Sequence, residues 1–189
     1  NDQAWSHLRL HIFPDGGVAR LRAYGRPLPP EAGAEIDLAA ALSGGRALAW
    51  SDDHYGGPQL MLGPGRGRDM GDGWETRRRR EPGFDWIVVE LGRPGRINRI
   101  EVDTAHFKGN FPDRCSLCAA NLGDAGGLSV ASTLASAIHW REVLSQQKLT
   151  ADAIHQFTPE TDLGVVSHVR LNIYPDGGVS RLRIFGTAE

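Results

Sequence analysis

SHLRLHIFPDGGVARLRAYG occupies residues 6–25, and SHVRLNIYPDGGVSRLRIFG occupies residues 167–186. The two stretches lie 161 residues apart and agree at 14 of 20 positions. That period is far longer than the roughly 20–50 residues of solenoid and propeller repeats, so it reads as a duplicated domain. In the first copy Leu8, Leu10 and Ile12 alternate with Arg9, His11 and Phe13, the period of a strand with one buried face. Pro14-Asp15-Gly16-Gly17 is turn chemistry: a fixed φ, a side-chain acceptor and two permissive glycines. Leu21 and Ala23 then alternate with Arg20, Arg22 and Tyr24. The second copy repeats the pattern with Val169, Leu171 and Ile173, then Leu182 and Ile184. Each copy therefore predicts a β-hairpin that closes a domain. The expected organisation is residues 1–26 as the C-terminal hairpin of a truncated first repeat, 27–30 as a Pro-rich linker, and 31–189 as a complete second repeat.

Outside the repeat, strand patterns fall at 86–91, 97–103, 115–119 and 154–157, and short helices are expected at 38–42 and 58–62. The chain is 189 residues long, with 24 glycines and 11 prolines spread along it. Many short strands, frequent turn residues and no long helical period predict an all-β, antiparallel jelly-roll sandwich and exclude a parallel α/β sheet. A formal net charge of −2 gives no basis for a nucleic-acid or anionic-membrane partner. No apolar run approaches the roughly 18–20 residues of a membrane span, and no signal peptide is visible at the first residues. Two cysteines cannot build a disulfide framework, so a reducing, cytoplasmic setting is the expectation. Cys115 and Cys118 form a C-x-x-C, but inside a predicted strand that spacing sends the two side chains to opposite faces.

Three polar segments carry candidate chemistry. In Glu101–Asn110 a strand ends and a loop begins, which is where a rigid scaffold presents reactive groups. His106 with Asp103 as its orienting carboxylate is the candidate general acid/base pair; the structural alternative is a loop closed by ordinary hydrogen bonds. Asp69–Arg77 supplies Asp72 or Glu75 as a second base and Arg77 as a carboxylate ligand, a role shared with Lys108. Asn110 and Trp74 are expected to line the pocket, unless Trp74 plugs the end of the sandwich. The run Arg77–Arg80 reads either as bidentate carboxylate recognition or as a solvated charge run. Asp52, Asp53 and His54 offer oxygens and an imidazole to a divalent metal, against the commoner role of capping a turn. The sequence requires no cofactor, and no metal ligand is assigned.

GRGRDMGDGWETRRRR (65–80), IEVDTAHFKGNFPD (100–113) and HVRLNIYPDGGVSRLRIFG (168–186) resemble allantoicase. The resemblance implies a hydrolase acting on linear amidines, which converts allantoate to ureidoglycolate and urea in purine breakdown. It also implies two similar jelly-roll repeats related to the galactose-binding or discoidin-like sandwich, assembled as a homo-oligomer. Against that family, His54 and Gly56-Gly57 are atypical, and only the end of the first repeat is present. Two alternatives stand beside this one: a non-catalytic carbohydrate- or ligand-binding module with Trp74 and Tyr55 stacked on a ring, and an inactive truncated fragment.

Overall fold

The computed structural model of the protein describes residues 3–5, 8–25, 33–123 and 129–189. The expected linker, 27–30, lies outside the described residues. In chain order the elements are β1 (Glu35–Asp37), β2 (Arg46–Trp50), β3 (Tyr55–Gly56), β4 (Trp74–Glu75), β5 (Asp85–Asp103), β6 (Arg114–Ala120), α1 (Val130–Ala137), β7 (Arg141–Lys148), β8 (Ile154–Phe157), β9 (Val165–Tyr174), β10 (Gly178–Val179) and β11 (Arg181–Ala188). Short 3-10 turns at Ala41–Ser43 and Pro58–Leu62 stand where short helices are expected.

β5 organises the sandwich. Its first part, Asp85–Glu90, is flanked by β9, and β2 pairs with Ile87–Glu90 on the other edge. Its last part, Ile100–Asp103, is flanked by β11 and β8. All these pairings are antiparallel. The strand therefore serves two layers, β2-β5-β9-β6-β7 and β1-β11-β5-β8. It crosses between them at Gly92-Arg93-Pro94-Gly95, where its register with β9 slips. The sequence pattern places two strands here; the structure joins them.

The core fills the space between the layers. Ile87, Val89, Ile100, Val102, Leu117, Val169, Leu171, Ile173, Leu182 and Ile184 are all buried in one cluster. Each such side chain contributes about 1.5–3 kcal/mol by leaving water. The opposite face of the larger layer carries Val88 and Cys118, covered by Ala137 of α1 and by Trp140. Cys115 belongs to the central cluster and Cys118 to this outer one, so the two thiols do face opposite ways. Helix α1 is absent from the sequence reading. Its residues, VASTLASA, are small and weakly amphipathic, and its start is marked by Ser129 accepting the Ser132 N–H at 3.1 Å.

The repeat corrects the expected hairpin. β9 pairs with β5 and β6, and β11 with β5 and β1; they do not pair with each other. The Pro175–Gly178 turn thus carries the chain from one layer to the other. Alternation cannot separate the two topologies, because in both the apolar faces of the two strands point into the core. The N-terminal copy forms no strand among residues 8–25. Leu8, Leu10, Ile12 and Leu21 are 65%, 52%, 44% and 60% exposed, while Val169, Leu171, Ile173 and Leu182 are 0–1% exposed. The code is the same and the surroundings differ: both edges of β5 are already occupied by other strands. Two strands without a sheet to join are marginal in water.

Candidate functional site

The loops that follow β2, β4 and β5 meet the turn after β9 at one end of the sandwich. Trp74 anchors them: it is 0% exposed, and its Nε1–H donates to the Asp52 carbonyl at 2.8 Å. It plugs the fold and offers no surface to a ligand, which corrects the pocket-lining role and removes half of the ring-stacking reading. The turn after β9 is threaded between two loops. Asp176 Oδ2 accepts the Arg79 N–H at 2.9 Å, Gly177 O accepts the Thr76 N–H at 3.1 Å, and Gly178 N–H donates to Asn110 O at 2.8 Å. A Cβ on Gly178 would stand 2.1 Å from the Phe107 ring, so only glycine allows this approach.

Two cavities of ligand size flank these loops. One, of about 540 Å³, is lined by the four arginines Arg77–Arg80 with Ser51, Asp52, Glu81 and Asp85. Arg77 clamps Asp52: its backbone N–H reaches Oδ2 at 2.7 Å and its Nε reaches Oδ1 at 2.9 Å. Partial burial acts to raise the Asp52 carboxyl, but the Arg77 bonds prevail and hold it below the usual carboxylate range. Arg79 pairs with buried Asp85 at 2.8 Å, and Ser51 Oγ donates to the same Oδ1 at 2.9 Å. Arg78 and Arg80 make no hydrogen bond or ion pair among the described residues, so this groove keeps unengaged guanidinium groups. Such groups bind planar carboxylates in bidentate fashion.

The other cavity, of about 350 Å³, lies on the outer face of the smaller layer and includes Asp37, Arg66, Asp103, Arg181 and Arg183. Its polar groups are already matched. Arg181 donates to the carbonyls of Gly65, Asp72 and Ser180 and to Asp72 Oδ2. Arg183 donates to Asp37 Oδ2 and to Gly65 O. Asp103 accepts Arg66 Nε at 3.3 Å and the Ala105 N–H at 2.8 Å. This is a latch that fastens the 63–72 loop to the sheet, not an open set of ligand contacts. Burial is the largest influence on Asp37 and pushes its carboxyl up, against the bonds from Ile184, Ala39 and Arg183.

The expected site residues divide among neighbouring clusters. Arg77 lines the arginine groove and Asp103 the latch; His106, Lys108, Asn110, Asp72, Glu75 and Trp74 line neither cavity. Asp103 does not orient His106, because both its oxygens serve Arg66 and the Ala105 amide. His106 sits at φ 71°, its N–H donates to Asp152 Oδ1 at 2.8 Å, and its Nε2 lies 2.8 Å from Gly67 O. A carbonyl only accepts, so Nε2 carries the proton. The His106 amide bond is the main reason the Asp152 carboxyl is lowered, with Lys108 and Arg66 adding to it. Glu75 Oε1 accepts from Asn110 Nδ2. Asp72 is held by Arg68 and Arg181, which lower its carboxyl. Asp52, considered for a metal, gives both oxygens to Arg77 instead. The sequence reading singles out neither Asp85 nor Asp152; nothing in the local pattern marks Asp85 off from other strand-start residues.

By its fold this is a jelly-roll β-sandwich of the type seen in carbohydrate-binding modules. The family 32 module of Streptococcus pneumoniae EndoD superposes with a TM-score of 0.56 at 13% identity, over 80% of this chain and all of the module, a likeness of fold alone. The chain belongs to the allantoicase family: the allantoicase-repeat family model matches residues 1–28 and 36–189. It is 56% identical over 191 aligned residues to a protein of Photobacterium profundum named "Probable allantoicase", covering 98% of this chain and 57% of that protein. A Rhizobium meliloti protein of the same name is likewise 56% identical, with 98% and 56% covered. The crystal structure of allantoicase from Saccharomyces cerevisiae matches with a TM-score of 0.71 and 41% identity, over 86% of this chain and 45% of that one. The chain thus spans a little over half the length of the curated relatives it matches. No helix among the described residues is long and apolar enough to cross a membrane.

Proposed function

We propose that the protein containing this chain hydrolyses allantoate to ureidoglycolate and urea. The carrying observation is 56% identity, across 98% of the chain, to proteins named allantoicase. Water adds its hydroxyl to the central carbon, the C–N bond to one ureido group breaks, and the departing nitrogen takes the proton as urea. The carboxylate of allantoate is assigned to the arginine groove. Arg77 is engaged with Asp52, so Arg78 and Arg80 make the contact and Arg77 shapes the groove. His106, with Asp152 on its N–H and Lys108 near that carboxylate, is assigned the acid–base step; it lines neither cavity, so the assignment has the leaving ureido group extend from the groove toward the loop past β5. What supports this is its place in a loop past the end of β5 and the charged groups around it.

In the same reading residues 1–26 end a preceding repeat and 31–189 form the complete one, in line with the family model's two matched segments. A homo-oligomer in the cytoplasm belongs to this proposal, supported by the exposed apolar row Leu8, Leu10 and Ile12 and by two free cysteines. The test is urea release from allantoate by the full protein. One urea per allantoate is expected, with KM raised at least about tenfold by joint Arg78→Ala and Arg80→Ala replacement. Absence of urea from folded protein sinks the proposal. His106→Ala is expected to lower turnover by about 10²–10⁴-fold, and near-normal turnover removes His106 from the mechanism.

A further inference from the structure

Two residues other than glycine have φ in the left-handed region among the described residues, His106 at 71° and Asp152 at 49°. They lie 46 positions apart and hold each other. The His106 N–H donates to Asp152 Oδ1 at 2.8 Å, and the Asp152 N–H donates to the neighbouring Phe107 carbonyl at 3.3 Å. Thr104 ties the same two loops: its N–H donates to Ala153 O at 2.9 Å and its Oγ1 to Thr150 O at 2.7 Å. Thr104 and Phe107 are fully buried, so the base of this clamp is fixed. A non-glycine residue in this backbone region costs free energy and persists only where its surroundings enforce it, and such residues gather at working sites.

The clamp decides which nitrogen of His106 is available. Nε2 lies 2.8 Å from Gly67 O and carries the proton, since a carbonyl only accepts. The Gly67 loop is itself held: Arg181 and Arg183 both donate to Gly65 O, and Gly67 packs so closely on Ser180 that a Cβ there would lie 2.2 Å from its Oγ. Nδ1 makes no hydrogen bond among the described residues and is not a buried atom. With one nitrogen protonated and occupied, the neutral ring presents a lone pair at the other. We infer that His106 works through Nδ1 as a base, and that Asp152 is the positioning residue that aims it. This rests on the reading of His106 as the acid–base group of allantoate hydrolysis, and it adds the atom, the order of proton transfers and the residue that sets the aim. Nδ1 takes a proton from water as the hydroxyl bonds to the central carbon. The electrons of the breaking C–N bond go to the ureido nitrogen, which takes that proton from Nδ1 and leaves as urea.

Nitrogen NMR of the full protein at alkaline pH, with the His106 signals assigned by their loss on His106 substitution, is expected to show a protonated Nε2 and an unprotonated Nδ1; the opposite tautomer overturns the inference. Asp152→Gly keeps the left-handed backbone but removes the acceptor, and is expected to lower kcat for allantoate about 10–100-fold while KM stays within about twofold. Asp152→Asn keeps an Oδ1 acceptor and tolerates the same φ, and is expected to recover kcat to within about threefold of the unmodified protein. A merely structural Asp152 would leave the kcat of folded Asp152→Gly unchanged, and that result overturns the inference. Failure of Asn to recover turnover overturns it as well, because the charge would then matter and not the bond to the His106 N–H. The tautomer is read on the unmodified protein, so an Asp152 variant that fails to fold does not leave the question open. The underlying reading fails by other results: no urea from allantoate, or near-normal turnover by folded His106→Ala, removes it and the inference with it. Turnover lost in His106→Ala but kept in Asp152→Gly removes the inference alone.

Discussion

Replacing Arg181 with Met tests whether the smaller cavity is a latch. The side chain is 3% exposed, and its guanidinium donates to three backbone carbonyls and to Asp72 Oδ2. Met fills much of the same volume but donates nothing. The carbonyls of Gly65 and Asp72 lose a donor, and Asp72 keeps only its bonds within the 68–72 loop. Removing one partner of a buried, hydrogen-bonded charge pair costs about 3–5 kcal/mol. For a chain of this length each kcal/mol lowers the melting temperature by about 2–4 °C, so a fall on the order of 10 °C is expected. Thermal and urea unfolding followed by circular dichroism measure it. In the folded fraction of the full protein, KM for allantoate is expected to stay within about twofold, because Arg181 lines the latch and not the arginine groove. A loss below about 1 kcal/mol, or a KM that rises while stability holds, would refute the division between a satisfied cavity and an open one.

Gly83 has φ 137°, and a Cβ there would lie 2.9 Å from Arg79 Nη2; Gly83→Ala is expected to cost about 1–3 kcal/mol in urea unfolding, and unchanged stability would count against the backbone strain. Burial pushes the Cys115 thiol up to about 12; at pH 8 iodoacetamide should leave it unlabelled in folded protein and label it in urea, and rapid labelling of the native state would contradict the packing. Asp52 and Asp72 titrate below 3.8 in the folded state, so each adds stability that is present above the unfolded value, near complete by about pH 5, and lost as pH falls through its lowered value. Asp37, raised above 3.8, acts in the opposite sense and regains stability as pH falls through its folded value. Carboxyl carbon shifts followed by NMR from pH 6 to pH 2 should give Asp52 and Asp72 lower midpoints than Asp37; the reverse order would refute the assignment of burial to Asp37 and of arginine pairing to the others.

Sequence legibility followed the range of the interaction. The strands at 86–91, 97–103, 115–119, 154–157 and 165–174 were readable because each carries its own period-2 record of a buried face. α1 was not, because VASTLASA has too little apolar contrast to show a 3.6-residue period and its cap is a serine pair. The layer crossing at Pro175–Gly178 was not, because a hairpin and a crossing write the same alternation. At the candidate site, Arg77 and the run after it were legible by charge density alone. Asp85 was invisible for a physical reason: what distinguishes it is an oxygen with no partner at the foot of a groove. That property exists only once Ser51, Arg79 and Asp176 have been brought together from three parts of the chain.

The two copies of the repeat sharpen this point. Residues 8–25 and 169–186 share their apolar positions, their Pro-Asp-Gly-Gly turn and their arginines. In one copy every element of that code is put to use: Leu171 faces Ile87, Leu182 faces Val102, Asp176 caps Arg79, and Arg181 latches a loop. In the other, the equivalent Leu10, Leu21 and Arg20 lie on exposed chain with no strand formed. Intrinsic β-propensity is therefore not what makes residues 165–188 fold. The decisive contribution is a β5 with a free edge for each strand, and the described chain has one β5 whose edges are filled.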